Sequence, residues 1–239
     1  GKPLVLHEQN SVAGMANKVL AGIADRIFTA FPDVLKKAQW VGNPLRTAFT
    51  QQPAPAQRFA GRAGPLRLLV VGGSLGAKAL NEVVPKALAL LPLAQRPRVV
   101  HQSGARQIDA LRAGYAEAGV DAELTPFIDD TAPAFAEADL IVCRAGASTV
   151  TEIAAVGAAA LFVPFPFAVD DHQTTNASFL VDQGGGWLIQ QSELSPERLA
   201  RMLQETARPE LLRRAQKAWD LRKTDATRDV VAACEELAK

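Results

Sequence analysis

The chain has 239 residues, 48% of them hydrophobic, and a formal net charge of +1. That is enough to bury a sizeable core, yet too balanced for a general polyanion binder, and no Lys/Arg-rich run or basic-aromatic interleaving marks a nucleic-acid surface. The two cysteines, Cys143 and Cys234, form neither a metal cluster nor a disulfide framework and fit a reducing cytosol, while the longest apolar stretch, 154–169, is broken by Gly157, Pro164 and Pro166 and falls short of the ~20 residues of a spanning helix.

Residues 3–10 read as a buried strand running into a polar loop, followed by a helix at about 13–23 and a short strand at 26–30. No signal-peptide pattern precedes the strand. A domain rarely starts in mid-sheet, so Gly1 reads as a cut edge, with the preceding strands expected in a longer protein. His7 reads as a strand-end residue satisfied locally, because nothing nearby offers metal-ligand spacing. Val41-Gly-Asn-Pro-Leu-Arg46 is a turn cluster. The region 51–65, rich in Pro, Ala, Gln and Gly without a helical or strand period, reads as a linker or surface loop at a domain boundary. Beyond it, strands at 66–71, 98–102, 122–127, 139–143 and 160–164 alternate with helices at 77–91, 105–118, 132–138, 149–155 and 173–183. This alternation predicts an α/β fold, a Rossmann-like parallel sheet with helices on both faces. The remainder is helical, with Ser195 as N-cap and Pro196 at the first helical position.

The chemistry concentrates where small residues turn strands into helices. Asp139-Leu-Ile-Val-Cys143 is a buried strand, and the apolar-periodic run after it places Gly146, Ala147, Ser148 and Thr149 at a helix N-terminus. Unpaired N–H groups and the positive dipole end there suit a phosphate, and Gly146 and Ala147 leave the approach open. Glu152, about one turn in, is placed to accept two hydrogen bonds from a vicinal diol such as a ribose. The competing reading is a capping box with Ser148 or Thr149.

Leu69-Val-Val-Gly-Gly-Ser-Leu-Gly-Ala77 is a second strand-to-helix turn. It lacks the G-x-G-x-x-G spacing, and no acidic residue ends the next strand, which argues against a nicotinamide cofactor. It does match G-x-S-x-G through Gly72, Ser74 and Gly76, with Asp139 or Asp170 and then His172 in hydrolase order. Against a hydrolase, no His-Gly-Gly-Gly type oxyanion segment is present, and Ser74 has an adequate role as hydroxyl donor to a phosphate. Ligands of open α/β sheets sit outside the carboxyl ends of the strands, where Ser74, Ile128, the 146–152 stretch and Asp170-Asp-His-Gln173 converge. His172, Gln173 and, one turn on, Asn176 are expected to reach a sugar's hydroxyls. The alternative is that Asp170 or Asp171 caps this helix and His172 is solvated.

Six segments, in order, carry a family resemblance: Leu6-His-Glu-Gln-Asn10, Val41-Gly-Asn-Pro-Leu-Arg46, Val71-Gly-Gly-Ser-Leu-Gly-Ala77, Phe127-Ile-Asp-Asp130, Cys143-Arg-Ala-Gly-Ala-Ser-Thr-Val-Thr-Glu152 and Asp171-His-Gln-Thr-Thr-Asn-Ala177. Across essentially its whole length the chain resembles the MurG family of peptidoglycan N-acetylglucosaminyltransferases. The resemblance implies the GT-B architecture, two Rossmann-like domains facing a cleft. It implies transfer of N-acetylglucosamine from UDP-N-acetylglucosamine to lipid I, giving lipid II with inversion and with neither metal nor other cofactor. It also implies a cytoplasmic protein, peripheral on the anionic inner-membrane surface. Residues 1–46 would be a remnant of the N-terminal acceptor domain with its linker, 47–223 the donor domain, and 224–239 a helix packing back on the N-terminal domain.

Carried onto this chain, the resemblance implies that Asn10 and Arg46 reach the donor from the interdomain side. Ser74 and the turn of Ala147, Ser148 and Thr149 would hold the diphosphate, with Val150 and Thr151 continuing the substrate-binding run. Ile128 would lie against the uracil, Glu152 would bind the ribose, and His172 with Gln173 the sugar, His172 standing where the family can carry Gln. The family's Gly-Gly-Thr-Gly-Gly-His loop, which supplies the candidate base, has no counterpart here, so the base is unassigned and the chain is expected to bind donor without turning it over. Two further readings are a nucleotide-sugar binding module without catalysis, and a GT-B epimerase or another glycosyltransferase.

Overall fold

Runs of Val, Leu and Ile form two parallel sheets in a computed structural model that describes residues 1–73, 76–168 and 171–238. The smaller sheet has the order β1 (Val5–Glu8), β2 (Arg26–Thr29), β3 (Gln39–Trp40), with α1 (Met15–Leu20) between the first two. Helices α2 (Thr47–Thr50) and α3 (Pro55–Phe59) lead to the larger unit. There β4 (Arg67–Val71), α4 (Lys78–Ala89), β5 (Arg98–Gln102), α5 (Ile108–Ala118), β6 (Glu123–Thr125), α6 (Thr131–Glu137), β7 (Leu140–Cys143), α7 (Ala147–Val156), β8 (Ala160–Phe162), α8 (His172–Val181) and β9 (Gly186–Leu188) alternate. Helices α9 (Pro196–Glu205), α10 (Arg208–Asp220) and α11 (Ala226–Leu237) follow. The larger sheet has the order β6-β5-β4-β7-β8-β9, all pairs parallel, so the chain reverses its direction of travel across the sheet between β4 and β7.

Successive strand side chains point to opposite faces, and here both faces are covered. Leu68, Val70, Val99, Leu140, Val142 and Leu161 pack with Leu80, Val84 and Leu88 of α4 and Leu111 of α5. Leu69, Ile141, Cys143, Ala160 and Phe162 pack with Phe135 of α6 and Val150 and Ile153 of α7. Each buried Val, Leu, Ile or Phe among them contributes about 1.5–3 kcal/mol of burial, which is why the central strands are largely apolar. On the small sheet, Phe28 and Val41 pack against Ala226 and Ala233 of α11.

The region 51–65, read from its composition as a linker or surface loop, carries the helix α3 and packs against the larger unit. Pro55 and Phe59 are buried, and Arg58 donates to the carbonyls of Ala136, Val156 and Gly157. Arg62 and Arg208 converge on the buried carboxylate of Asp139, which also accepts the Arg67 N–H at 2.9 Å. Helices this short carry too few periods to register in sequence, and their partners lie about a hundred residues away. The two-residue β3 and the three-residue β9 went unread for the same reason. Ser195 does cap α9, accepting the Arg198 N–H at 3.2 Å.

Candidate functional site

At the end of β7, Gly146 takes the N-cap position of α7 in extended backbone with no side-chain cap, and its carbonyl accepts the Val150 N–H at 3.0 Å. Ala147, Ser148 and Thr149 therefore form the first turn, where backbone N–H groups have no intrahelical acceptor and the dipole is positive. This geometry removes the capping-box reading, because Ser148 and Thr149 lie inside the helix rather than at its cap. Glu152 is half-buried. Burial pushes its carboxyl up to about 7, with the nearby Arg46 guanidinium acting in the opposite direction. Arg46 is held by a 2.6 Å hydrogen bond to Thr131 Oγ1 and lies over the Phe49 ring.

Two residues expected in the binding run face inward instead. Val150 is fully buried and its N–H is already used. The Thr151 hydroxyl sits 3.0 Å from the carbonyls of Ala147 and Ser148, closing on its own helix. The 3.6-residue helical period turns both toward the core, so they brace the turn and do not present groups to a ligand.

The glycine-rich turn after β4 is tied to β5: the Gly72 N–H donates to the Gln102 carbonyl at 3.2 Å, and the Gly76 N–H to the Gly73 carbonyl at 2.9 Å. Gly76 has φ +76, and a Cβ there would collide with the Ser103 carbonyl, so only glycine fits. Ser74 and Asp170 lie outside the described residues. After β6, Thr125 Oγ1 donates to the Phe127 carbonyl at 2.6 Å, shaping the turn that carries the exposed Phe127 and the half-buried Ile128.

From α8, Gln173 reaches back: its Oε1 accepts the Ala145 N–H at 3.2 Å and the Phe165 N–H at 3.0 Å, which leaves its amide NH₂ as the group available to a ligand. Asn176 departs from expectation. It is fully buried, its Oδ1 accepts from Ser11 N–H and Oγ, and its Nδ2 donates to the Ala145 carbonyl, so it bridges the two units and does not contact a sugar. Asp171 sits in the left-handed region at φ +49 and accepts the Thr174 hydroxyl at 2.7 Å without capping α8. Arg144 turns away from the site, donating to the carbonyls of Val163 and Pro164 and to Gln191.

A cavity of about 490 Å³ between the units is lined by His7, Glu8, Asn10, Asn17 and His172. His7 Nε2 donates to the Gly42 carbonyl at 2.9 Å, a partner far along the chain where a local one was expected. Sequence reasoning passed over Glu8, whose buried carboxylate accepts the N–H groups of Asn10 and Gly14 and Asn17 Nδ2. It also passed over Gln102. The available signal was a polar residue closing an otherwise apolar strand in each case. Among the described residues no group of His, Cys, Asp or Glu is arranged to hold a metal ion, and no helix is long and apolar enough to cross a membrane.

A parallel sheet whose order reverses at β4 and β7, with a glycine-rich turn on one strand and an open helix N-terminus on the other, defines a doubly wound, Rossmann-like α/β domain, a class whose ligands sit at such a reversal point. Comparison with known proteins narrows the class. The profile of the glycosyltransferase family 28 C-terminal domain matches residues 67–230, and the chain belongs to that family. It is 78% identical over 239 residues to the UDP-N-acetylglucosamine–N-acetylmuramyl-(pentapeptide) pyrophosphoryl-undecaprenol N-acetylglucosamine transferase of Polaromonas sp. strain JS666, covering all of this chain and 62% of that protein. It is 62% identical over 238 residues to the protein of the same name from Cupriavidus metallidurans, covering 100% of this chain and 67% of the relative. The crystal structure of Acinetobacter baumannii MurG is similar at 42% identity and a TM-score of 0.90, over 99% of this chain and 67% of that one. Phytolacca americana UGT2, at 17% identity and a TM-score of 0.62 over 94% of this chain and 56% of its own, shares the fold alone. The fold is of GT-B type, and family membership leaves the hydrolase reading of the Gly72–Gly76 turn without support.

Proposed function

We propose that this chain is the donor-binding part of an inverting hexosyltransferase that moves N-acetylglucosamine from UDP-N-acetylglucosamine to lipid I, forming lipid II. One observation carries this reading: the half-buried Glu152 stands one turn beyond the open N–H groups of Ala147, Ser148 and Thr149, at the reversal point of the sheet. The diphosphate lies on those N–H groups and on Ser74, the uracil against Ile128, and the ribose hydroxyls on the Glu152 carboxylate. Asn10, His172 and the free amide of Gln173 face the sugar, and Arg46 adds positive charge beside Glu152. In the transfer, charge grows on the departing UDP. Preorganised N–H groups at a helix terminus stabilise that charge without reorganising.

The proton of the acceptor hydroxyl needs a base, and the residues assigned here supply none. We assign that role to a segment outside this chain. Residues 1–46 and 224–239 then belong to the acceptor-side unit and 47–223 to the donor domain, an assignment supported by the packing of α11 on the small sheet. An acceptor linked to undecaprenol calls for work at a membrane surface, on the cytoplasmic face where nucleotide sugars are made. Calorimetric titration tests the donor reading: UDP-N-acetylglucosamine should saturate the chain in preference to UDP-N-acetylgalactosamine, and Glu152→Ala should abolish binding. Equal binding of both sugars, or binding indifferent to Glu152, would overturn it. Release of N-acetylmannosamine would point to an epimerase instead.

A further inference from the structure

Gln102 closes β5, between the two strands whose turns flank the proposed nucleotide site. It is buried. Its Oε1 accepts the Gly73 N–H at 3.0 Å, and its Nε2 donates to the Gly73 carbonyl at 2.9 Å and to the Pro126 carbonyl at 3.1 Å. Its main-chain carbonyl accepts the Gly72 N–H as well. Both side-chain N–H groups are thus spent on joining the turn after β4 to the turn after β6, and the amide binds Gly73 as a neighbouring strand would.

The anchor behind it is stiff. His101 is fully buried, and its Nε2 lies 3.0 Å from Asn81 Oδ1, an atom that can only accept, so Nε2 carries the proton and Nδ1 accepts from the Tyr115 hydroxyl at 3.0 Å. Asn81 Nδ2 donates onward to the Ser103 carbonyl and to Gln107 Oε1. The Ser103 N–H bonds the Thr125 carbonyl at 3.0 Å. The end of β5 is therefore gripped from α4, from α5 and from β6, and Gln102 transmits that position to both turns.

We propose that Gln102 is a positioning residue that fixes the spacing between the diphosphate-holding and base-holding turns, so that a ligand seated in one preorganises the other. This rests on the donor-site reading above. Gln102 is assigned no contact with the substrate, because its side-chain amide is engaged by the two turns. Its effect appears as the gain that UDP, which spans both turns, has over uridine, which reaches only one.

Calorimetric titrations of UDP and uridine against the unaltered chain and Gln102→Met test this. In the variant, the ratio of UDP to uridine affinity should fall roughly tenfold, the scale of one or two buried hydrogen bonds to a preorganised loop. A merely structural defect would weaken both ligands alike, and an unchanged ratio in a folded variant overturns the proposal. A variant-free measurement guards against misfolding. In the unaltered chain, uridine alone should slow amide hydrogen exchange in peptides covering residues 72–77 as well as 126–131, and protection confined to the second overturns the coupling. Failure of the unaltered chain to bind UDP at all would instead overturn the donor-site reading, and this proposal with it.

Discussion

Glu152 is a carboxyl group held near neutrality by its surroundings, its titration raised to about 7 by burial. In the proposed donor complex two ribose hydroxyls donate to it and favour the charged form, so ligand binding should release a proton, and affinity should fall as the pH drops below about 7. Uridine is the ligand of choice because no phosphate titrates with it. Its affinity is expected to approach a tenfold loss per pH unit below that value, and Glu152→Gln should flatten the profile while weakening binding at pH ~8 by about tenfold. A sloping profile in the variant would assign the pH dependence elsewhere. Gln173 allows a separation of roles. Its Oε1 holds the Ala145 and Phe165 N–H groups, while its NH₂ is the group proposed to face the ligand. Gln173→Glu keeps the acceptor and loses the donor, so stability should shift by less than ~1 kcal/mol while the advantage of UDP-N-acetylglucosamine over UDP declines. An unchanged advantage would show that Gln173 only shapes the turn.

Helices α6 and α7 end against residues far away in sequence. The C-terminal carbonyls of a helix lack intrahelical donors, and Arg58 supplies them to Ala136, Val156 and Gly157 from the region that composition marks as a loop. Its burial beside Arg62 lowers its pKa to about 10, still high enough to keep the charge at neutral pH. Arg58→Met preserves the stem packing and removes the donors, and it should cost about 2–4 kcal/mol in urea unfolding. A loss under ~1 kcal/mol would mean that water replaces the guanidinium. Gly157 ends α7 at φ +66, where a Cβ would come within 2.7 Å of Pro55 Cγ and 2.9 Å of Trp219 Cβ. Gly157→Ala should destabilise by about 1–3 kcal/mol and loosen α3 and α10 together.

Over the whole molecule one buried and one half-buried group set opposing responses to pH. Burial depresses His101 from 6.5 to about 3, so the unfolded chain takes up a proton that the folded chain refuses, and stability falls as the pH drops from 6.5 toward 3. Glu152 acts the other way. Folding raises its pKa from 4.5 to about 7, so between those values the folded state holds an extra proton and loses stability as the pH rises. Between pH 4.5 and 6.5 the two slopes, each at most about 1.4 kcal/mol per pH unit and smaller for the partly buried Glu152, offset one another. Below that window His101 acts with Asp139, whose carboxylate is held low by hydrogen bonds from Arg208, Arg62 and the Arg67 N–H against its own desolvation. Urea midpoints should thus be nearly level from pH 5 to 6.5 and drop steeply below about 4.5. In Glu152→Gln they should climb across the same window, and a flat profile in that variant would show that Glu152 is not the opposing group.

The alternating strands and helices and the two strand-to-helix turns were legible in the sequence, because each depends on local periodicity or on small residues beside a helix start. Continuous apolar strands identify themselves as buried on both faces, and Gly146 and Ala147 mark an open helix N-terminus. The tertiary structure decided what those residues do with their hydrogen bonds. Only packing shows that Val150 and Thr151 face inward, that Asn176 joins the two units through Ser11, and that Arg58 turns a proline-rich stretch into a helix clamp. Gln102 is the clearest case. The sequence shows only a polar residue closing an apolar strand and not what it binds, since its three partners are backbone atoms on two other turns, and backbone atoms are the same in every sequence.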